Sequence, residues 1–360
     1  MTDYMQYALS LARKALGSVS PNPAVGAVVL NKEGRIVGQG YTQPPGSAHA
    51  EIVALQQAGE EARGGTMYVT LEPCCHQGKT PPCTKAIIGS GIREVHIATL
   101  DPNPMVGGKG KVILEADGIR MHIGEREEEA KELNEAYLKF ITTGRPFVTA
   151  KFAMSLDGKI ATKKHNAKWI SNEWSRERAH RLRWETDAIM VGINTVLEDN
   201  PQLTARTLNG TREPLRVILD SQGQTPTDAK ALENAERVLI ATTEAMSPSR
   251  RDEYGTRSIE VLTLPAREGH VDLGELLRVL GEKEITGVIA EGGGTLLGSL
   301  FDDELVDKVI AFISPMIIGG SEAISPVGGK GAELISQALK LKRTRIEQFV
   351  DDIMVTGYTR

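Results

Sequence analysis

The chain has 360 residues, 40% of them hydrophobic, 25% charged and only 4% aromatic, with a net charge of −5. This length exceeds what one hydrophobic core fills, so two domains are expected, and the acidic balance argues against nucleic acid as the main partner. No basic n-region opens the chain and no run of about eighteen apolar residues occurs, and the three cysteines fall within ten residues, so a cytoplasmic protein without disulfides or membrane contact is expected.

Residues 3–16 place Tyr4, Ala8, Leu11, Ala12 and Ala15 on one helical stripe that Gly17 ends. Pro21-Asn22-Pro23 leads into residues 24–30, an apolar run typical of a buried strand, and a second strand follows at 35–39. Asn22 reads either as a turn former or as a side chain reaching into a pocket. After Pro44-Pro45-Gly46 a helix carries His49 and Glu51 and closes at Gly59. A strand at 66–71 delivers Glu72-Pro73-Cys74, and Pro81-Pro82 precedes a helix opening near Cys83. A strand at 94–100, a loop at 101–104, a helix at 110–117 and a strand at 119–123 complete an alternating α/β series with its site at the strand ends. Residues 126–141 read as one amphipathic helix, broken by residues 142–146, which places the domain boundary there.

The second half opens with a strand at 147–154, and further strands are read at 188–192, 215–220, 238–242, 287–291 and 308–315. With helices between several of them, this half is again α/β with a largely parallel sheet. Lys151 interrupts an apolar strand and would be costly if buried without a partner, which favours a role facing a ligand. Arg183 is either a phosphate ligand or a solvated helix charge. Residues 192–206 are polar after a buried strand. Glu291-Gly292-Gly293-Gly294-Thr295 follows a strand and precedes a helix, either to admit a phosphate or simply to turn tightly. No G-x-G-x-x-G occurs, so a dinucleotide would be held without the Rossmann fingerprint.

Metal chemistry concentrates between His49 and Cys83. One imidazole and the thiolates of Cys74 and Cys83 are ligands that tetrahedral zinc prefers, and three protein ligands leave one position for water. Glu51, two residues after the histidine, is placed to move that water's proton, as in the H-x-E…P-C…C signature of zinc-dependent deaminases. The rival reading is a structural site closed by Cys75 or His76. Because adjacent residues seldom both reach one ion without strain, Cys75 is taken as a non-ligand.

Taken together, H-A-E, T-L-E-P-C-x-H-x-G-K-T-P-P-C, D-P-N-P, S-L-D-G-K-I-A, K-W-I-S, T-V-x-x-D-N-P-x-L-T and E-G-G closely resemble the bifunctional bacterial deaminase-reductases of riboflavin biosynthesis, over nearly the whole chain. The resemblance implies a cytidine-deaminase-like α/β/α domain at 1–144 and a dihydrofolate-reductase-like α/β domain at 145–360. It implies hydrolytic, zinc-dependent deamination of 2,5-diamino-6-ribosylamino-4(3H)-pyrimidinone 5′-phosphate, then NADPH-dependent reduction of the ribosyl group to ribityl. By similarity His49, Cys74 and Cys83 hold zinc, Glu51 is catalytic, and Asn22, His76, Lys79, Asp101 and Asn103 line the deaminase pocket. In the second half Lys151, Ser171, Arg183, Arg206 and Glu291 match substrate-facing positions. Ala153, Trp169, Thr195, Asp199, Ser221, Gly292, Gly293 and Gly294 match the cofactor side. Cys75 and Ala167 stand where family members commonly have serine, and no contact is carried onto Ala167. The expected partners are a small phosphorylated pyrimidine and further copies of the chain in a homo-oligomer, with no nucleic acid and no membrane.

Two other readings are a nucleoside or tRNA deaminase with an unrelated appended domain, which the acidic total opposes, and a structural zinc module joined to a ligand-binding regulator. The second requires four protein ligands on zinc and no role for Glu51.

Overall fold

The computed structural model describes residues 3–78, 80–208 and 210–360, which form two compact units, one ending at Gly144 and the next starting at Arg145. In the first unit the described strands are β1 (Gly26–Leu30), β2 (Ile36–Tyr41), β3 (Thr66–Val69), β4 (Glu94–Ile97) and β5 (Arg120–Ile123). They form one sheet in the order β2-β1-β3-β4-β5, parallel from β3 to β5 and antiparallel on either side of β1. Its helices are α1 (Tyr4–Ala12), α2 (Ala50–Ala58), α3 (Cys83–Ser90), α4 (Lys109–Ala116), α5 (Glu127–Leu133) and α6 (Glu135–Thr143). All five residues of β1 are buried, as a strand covered on both faces requires.

One face of this sheet packs on α2, α3, Leu114 of α4 and Tyr137 of α6; the other packs on α1 and Ala130 of α5. The seat of α2 is set by two glycines of β2. A Cβ on Gly38 would stand 2.1 Å from the Ala54 carbonyl oxygen, and one on Gly40 would stand 2.5 Å from that of Ala50. Only hydrogen at these positions lets the small-residue face of α2 lie directly on the strand backbone.

The single helix expected over residues 126–141 is two helices. Asn134, 3% exposed, leaves helical geometry at φ −109° and turns its amide onto the backbone of Ala24. Its Oδ1 accepts from Ala24 N at 2.8 Å and its Nδ2 donates to Ala24 O at 3.0 Å. A buried pair of side-chain bonds to the strand entry outweighs helical continuity, and the apolar period alone cannot reveal it.

The second unit is built from β6 (Phe147–Ser155), α7 (Glu173–Glu185), β7 (Ala188–Gly192), α8 (Ile193–Asp199), the short pair β8 (Ala205–Thr207) and β9 (Gly210–Arg212), and β10 (Leu215–Leu219). Next come β11 (Val238–Thr242), α9 (Pro248–Gly255), β12 (Glu260–Thr263), the pair β13 (Ala266–Arg267) and β14 (His270–Val271), and α10 (Leu273–Glu282). The chain finishes with β15 (Gly287–Glu291), α11 (Gly294–Asp302), β16 (Lys308–Ser314), β17 (Lys342–Phe349) and β18 (Asp352–Tyr358). The main sheet runs β12-β11-β10-β7-β15-β6-β16-β18-β17. It is parallel from β12 to β16, with β18 antiparallel to β16 and to β17. Helices α10 and α11 cover one face; α8 and Tyr254 of α9 cover the other. Strand β17 (KRTRIEQF) is not evident in the sequence, because it is exposed along almost its whole length and carries no burial period. No helix among the described residues is long and apolar enough to cross a membrane.

Candidate functional site: a thiolate-imidazole cage and a buried ionic cluster

In the first unit His49 is the N-cap of α2, with an extended backbone and no capping bond from its side chain, so the ring is available elsewhere. Cys83 is the first residue of α3, and its N–H donates to Cys74 Sγ at 3.4 Å, which favours the thiolate of Cys74. The three converge: His49 Nδ1 lies 3.6 Å from Cys74 Sγ and 3.3 Å from Cys83 Sγ. With bonds of about 2.3 Å to sulfur and about 2.0 Å to nitrogen, a zinc tetrahedron has S···N edges of about 3.5 Å, so the cage fits the ion. Thr80 Oγ1 sits 3.4 Å from His49 Nε2 and can take that proton, leaving the Nδ1 lone pair toward the sulfurs.

The electrostatics agree with a cation site. The hydrogen bond from Cys83 pulls the Cys74 thiol down to about 4 against its burial, whereas the same bond and burial push Cys83 up. The two sulfurs therefore share one proton unless a divalent cation compensates the second charge. Glu51 is 4% exposed in the first turn of α2; burial, then the charge of Cys74, pushes its carboxyl up, and it hydrogen-bonds with Cys83. Cys75 lies outside the cage, directed at Met105 O at 3.8 Å, and His76 is not among the convergent donors. Cys75, expected as a non-ligand, is therefore placed apart from the three, as is the His76 of the rival closed site.

Beside the cage, Asp101 is 6% exposed and takes Tyr137 Oη on both oxygens, at 3.0 and 3.1 Å, and Asn103 N at 2.9 Å. Burial pushes its carboxyl up, with His76 among the neighbours that oppose the shift. Among the described residues His76 Nδ1 is buried without a hydrogen-bond partner. Asn22 is half-buried in the loop before β1, its N–H held by Val19 O at 2.8 Å. Lys79 lies outside the described residues. The sequence reading missed Glu72, whose buried carboxylate accepts from the N–H groups of Asp101 (3.2 Å), Gly108 (3.0 Å) and Lys111 (3.0 Å). It ties the Asp101 loop to the start of α4. Its placement directly before Pro73-Cys74 was the available signal.

In the second unit Lys151 and Glu291 are direct cross-strand neighbours on β6 and β15, 3.3 Å apart. Arg183, from the last turn of α7, meets the same carboxylate at 2.6 and 2.9 Å and donates to Thr204 O at 3.1 Å. The solvated-charge reading of Arg183 is thereby corrected: its side chain is only 17% exposed. Burial alone would push Glu291 up, but Arg183 and then Lys151 hold it far below the carboxylate range. His180, one turn before Arg183 and also missed, touches Arg206 through Nε2 at 3.4 Å. Burial, Arg183 and Arg206 bring it down to about 4. The result is one carboxylate between two cations, with Arg206 beyond His180, a neighbourhood that suits a phosphate. Ser171 precedes α7, with its carbonyl accepting Arg176 Nη1 at 2.6 Å.

A cavity of about 300 Å³ opens at the C-terminal ends of β7, β10 and β15, and Thr195, Ser221 and Gly293 line it. Ala153, Trp169, Asp199, Gly292 and Gly294 do not. Ala153 packs on Ile310, Phe312 and Met354, and Trp169 is 68% exposed beneath the Arg176 guanidinium. Asp199 ends α8 with its carbonyl accepting Lys168 Nζ at 3.2 Å. The glycine run serves the fold itself. At Gly292, φ is +107° and a Cβ would stand 2.4 Å from Thr195 Oγ1; at Gly294 it would stand 2.7 Å from Ser325 O.

Comparison with known proteins agrees with both halves. Residues 1–99 match the cytidine and deoxycytidylate deaminase zinc-binding region, and residues 146–355 match the RibD C-terminal domain. The riboflavin biosynthesis protein RibD of Aquifex aeolicus is 44% identical over 98% of this chain and 97% of its own, and that of Escherichia coli is 36% identical over 97% of each. Among solved structures, Acinetobacter baumannii RibD superposes with a TM-score of 0.87 at 36% identity. A Thermotoga maritima diaminohydroxyphosphoribosylaminopyrimidine deaminase/5-amino-6-(5-phosphoribosylamino)uracil reductase gives 0.87 at 38%; each match covers 99% of this chain and 98% of the other. A family model spanning more than half of the residues, together with full-length relatives of this identity, places the chain in the RibD family, the bifunctional deaminase-reductases of riboflavin biosynthesis.

Proposed function

We propose that the first unit removes the ring amine of 2,5-diamino-6-ribosylamino-4(3H)-pyrimidinone 5′-phosphate and that the second reduces the ribosyl group of the product, with the deaminase confined to 1–144 and the reductase to 145–360. The observation that carries this reading is the convergence of His49 Nδ1, Cys74 Sγ and Cys83 Sγ beside the buried carboxyl of Glu51. Zinc and NADPH are the cofactors. His49, Cys74 and Cys83 would hold the zinc, which when bound would supply the Lewis acidity that makes a water nucleophilic near neutral pH. Glu51, whose carboxyl burial pushes up, takes the proton that water loses and delivers it to the departing nitrogen. Asp101, oriented by Tyr137, together with Asn103, His76, Asn22 and Lys79, is proposed to bind the pyrimidine and its phosphoribosyl arm; the unpartnered His76 Nδ1 supports this.

In the second unit NADPH supplies the hydride. Lys151, Glu291, Arg183, Arg206 and Ser171 are proposed to hold the phosphorylated substrate. Thr195, Ser221 and Gly293, which line the cavity, are proposed to bind the cofactor with Ala153, Trp169, Asp199, Gly292 and Gly294 along the same side. The need for two reduced thiols supports a cytoplasmic location. Exposed Ile346 on the sheet's edge strand β17 supports a homo-oligomer, which light scattering would measure. The test of function is to feed the purified chain the diaminopyrimidine phosphate and follow ammonia release, then NADPH oxidation. Absence of ammonia release from zinc-loaded protein overturns the reading.

A further inference from the structure

The S-L-D-G-K-I-A stretch, residues 155–161, does not enter the site described above. It leaves the C-terminal end of β6 and zips onto residues 315–331, a segment without helix or strand that leaves the end of the neighbouring strand β16. At the junction one carboxylate gathers three donors. Asp157 Oδ1 accepts from Ser155 Oγ at 2.6 Å and from Ile318 N at 3.1 Å, and Oδ2 accepts from Gly319 N at 2.7 Å. Gly319 offers its N–H from φ +68°, a conformation that glycine adopts freely. We infer that Asp157 is a positioning residue of the reductase, which sets the affinity for NADPH by holding residues 315–331 as one wall of the cofactor cavity. The inference rests on the assignment of that cavity to NADPH.

The wall can be followed from the clasp to the cavity. Beyond Asp157, Ile160 N donates to Ile324 O at 2.8 Å and Ile324 N to Ala161 O at 3.3 Å, while Lys159 Nζ reaches Ala323 O at 3.3 Å. Gly328 N then donates to Gly294 O at 2.9 Å, on the glycine turn that follows Glu291. Lys330 N donates to Asp302 Oδ2 at 2.7 Å, and Lys330 and Asp302 line the cavity together with Gly293. A few hydrogen bonds, not a strand ladder, therefore hold this side of the cavity in place.

The clasp does little for the core. Leu156 and Ile317, beside the clasped groups, are 63% and 70% exposed, so closing it buries little apolar surface. Ser155, then the N–H groups of Ile318 and Gly319, bring the Asp157 pKa down to about 2, so the carboxylate stays charged at neutral pH. Ordering a surface segment costs conformational entropy, and a segment fixed in advance spares a ligand that cost on binding.

The test is a fluorescence titration of the full-length chain with NADPH, for the parent, Asp157→Ala and Asp157→Asn, with urea unfolding of the second unit measured alongside. Asp157→Ala should bind NADPH at least about tenfold more weakly at an unchanged urea midpoint. Asp157→Asn, which keeps one acceptor oxygen, should fall between it and the parent. With the deaminated intermediate supplied, KM for NADPH should rise more than kcat falls, and ammonia release should stay at the parent's rate. Parental affinity in both variants overturns the inference. So does a loss of affinity that merely follows a lowered urea midpoint, which marks a structural role alone. A parent chain that binds no NADPH would remove the cavity's assignment itself and the inference with it, so the two failures are told apart by the parent's titration.

Discussion

Arg183 and Glu291, 108 residues apart in the chain, meet side-on with two N–O contacts of 2.6 and 2.9 Å, and Lys151 closes on the same carboxylate from the neighbouring strand. A lone buried carboxylate neutralising two cations is a point where one change propagates. Glu291→Gln keeps the shape but leaves Lys151 and Arg183 without a counter-charge, and losing one partner of a buried ion pair costs about 3–5 kcal/mol. Urea unfolding of the second unit should show a loss of that order, while ammonia release by the first unit stays near the starting rate. An unchanged unfolding midpoint would show that solvent already screens the cluster.

The cage gives a sharper contrast. Cys83→Ser should lose zinc and deamination, because a hydroxyl is a far weaker zinc donor than a thiolate. Cys75→Ser should keep both, since Cys75 lies toward Met105 and outside the convergent set. Metal analysis of the two variants checks this; zinc retained by the first and lost by the second would reverse the assignment.

Much of this was legible in the sequence, and the reasons differ by element. Strands β7, β11 and β15 are buried apolar runs that end at polar or glycine residues, so composition alone delimits them. The cage was legible because two of its donors, His49 and Cys83, sit at helix starts and the third, Cys74, follows a strand and a proline. Glu72 and His180 were not, since each works through backbone groups or neighbours that only tertiary structure supplies: three N–H groups from a later loop, and the guanidinium groups of Arg183 and Arg206. Nor was the partner of Lys151, which comes from Glu291 through strand pairing across 140 residues. The break at Asn134 was hidden for the same reason, its partner Ala24 lying 110 residues earlier.

Acid sensitivity should trace to His180. Its ordinary value is 6.5 and the fold, by burial and two arginines, brings it to about 4, so the folded protein binds fewer protons between these values than the unfolded chain does. Stability from this residue is full above pH 6.5 and falls as pH drops toward 4. Glu291, also depressed, adds a loss in the same direction, but only once pH falls below the unfolded carboxylate value of about 4.3. His180→Gln should therefore flatten the dependence of the urea midpoint on pH across the upper window and leave the lower one steep. Parallel curves for variant and parent would remove His180 as the cause.

Glu72 is expected to act on binding geometry. Glu72→Ala leaves three N–H groups of the Asp101 loop and the α4 start without their acceptor, at about 1–3 kcal/mol for buried groups so orphaned. Because the loop carries Asp101 and Asn103, the deaminase KM should rise more than kcat falls, and Glu72→Gln, which keeps one acceptor oxygen, should recover part of the loss. Equal effects on kcat and KM in both variants, with unchanged stability, would contradict a positioning role.

The last prediction is that the two chemistries separate by variant. Glu51→Gln replaces a carboxyl by an amide of nearly the same shape, which cannot accept the proton of the attacking water, so deamination should fall by at least about a hundredfold. Zinc should remain bound, because Glu51 lies outside the three convergent donors. Reduction should persist when the already deaminated intermediate is supplied, since Lys151, Arg183 and Glu291 form their own cluster in a separate compact unit. Lys151→Ala should do the reverse. It removes one of the two cations paired with Glu291, leaves the bidentate Arg183 pair to hold that carboxylate, and so should lower reduction without unfolding the unit. Assaying both variants on both substrates, with zinc content and thermal unfolding measured alongside, gives four rates. If Glu51→Gln, folded and zinc-loaded, also failed to reduce the supplied intermediate, one shared site would replace the two-site reading.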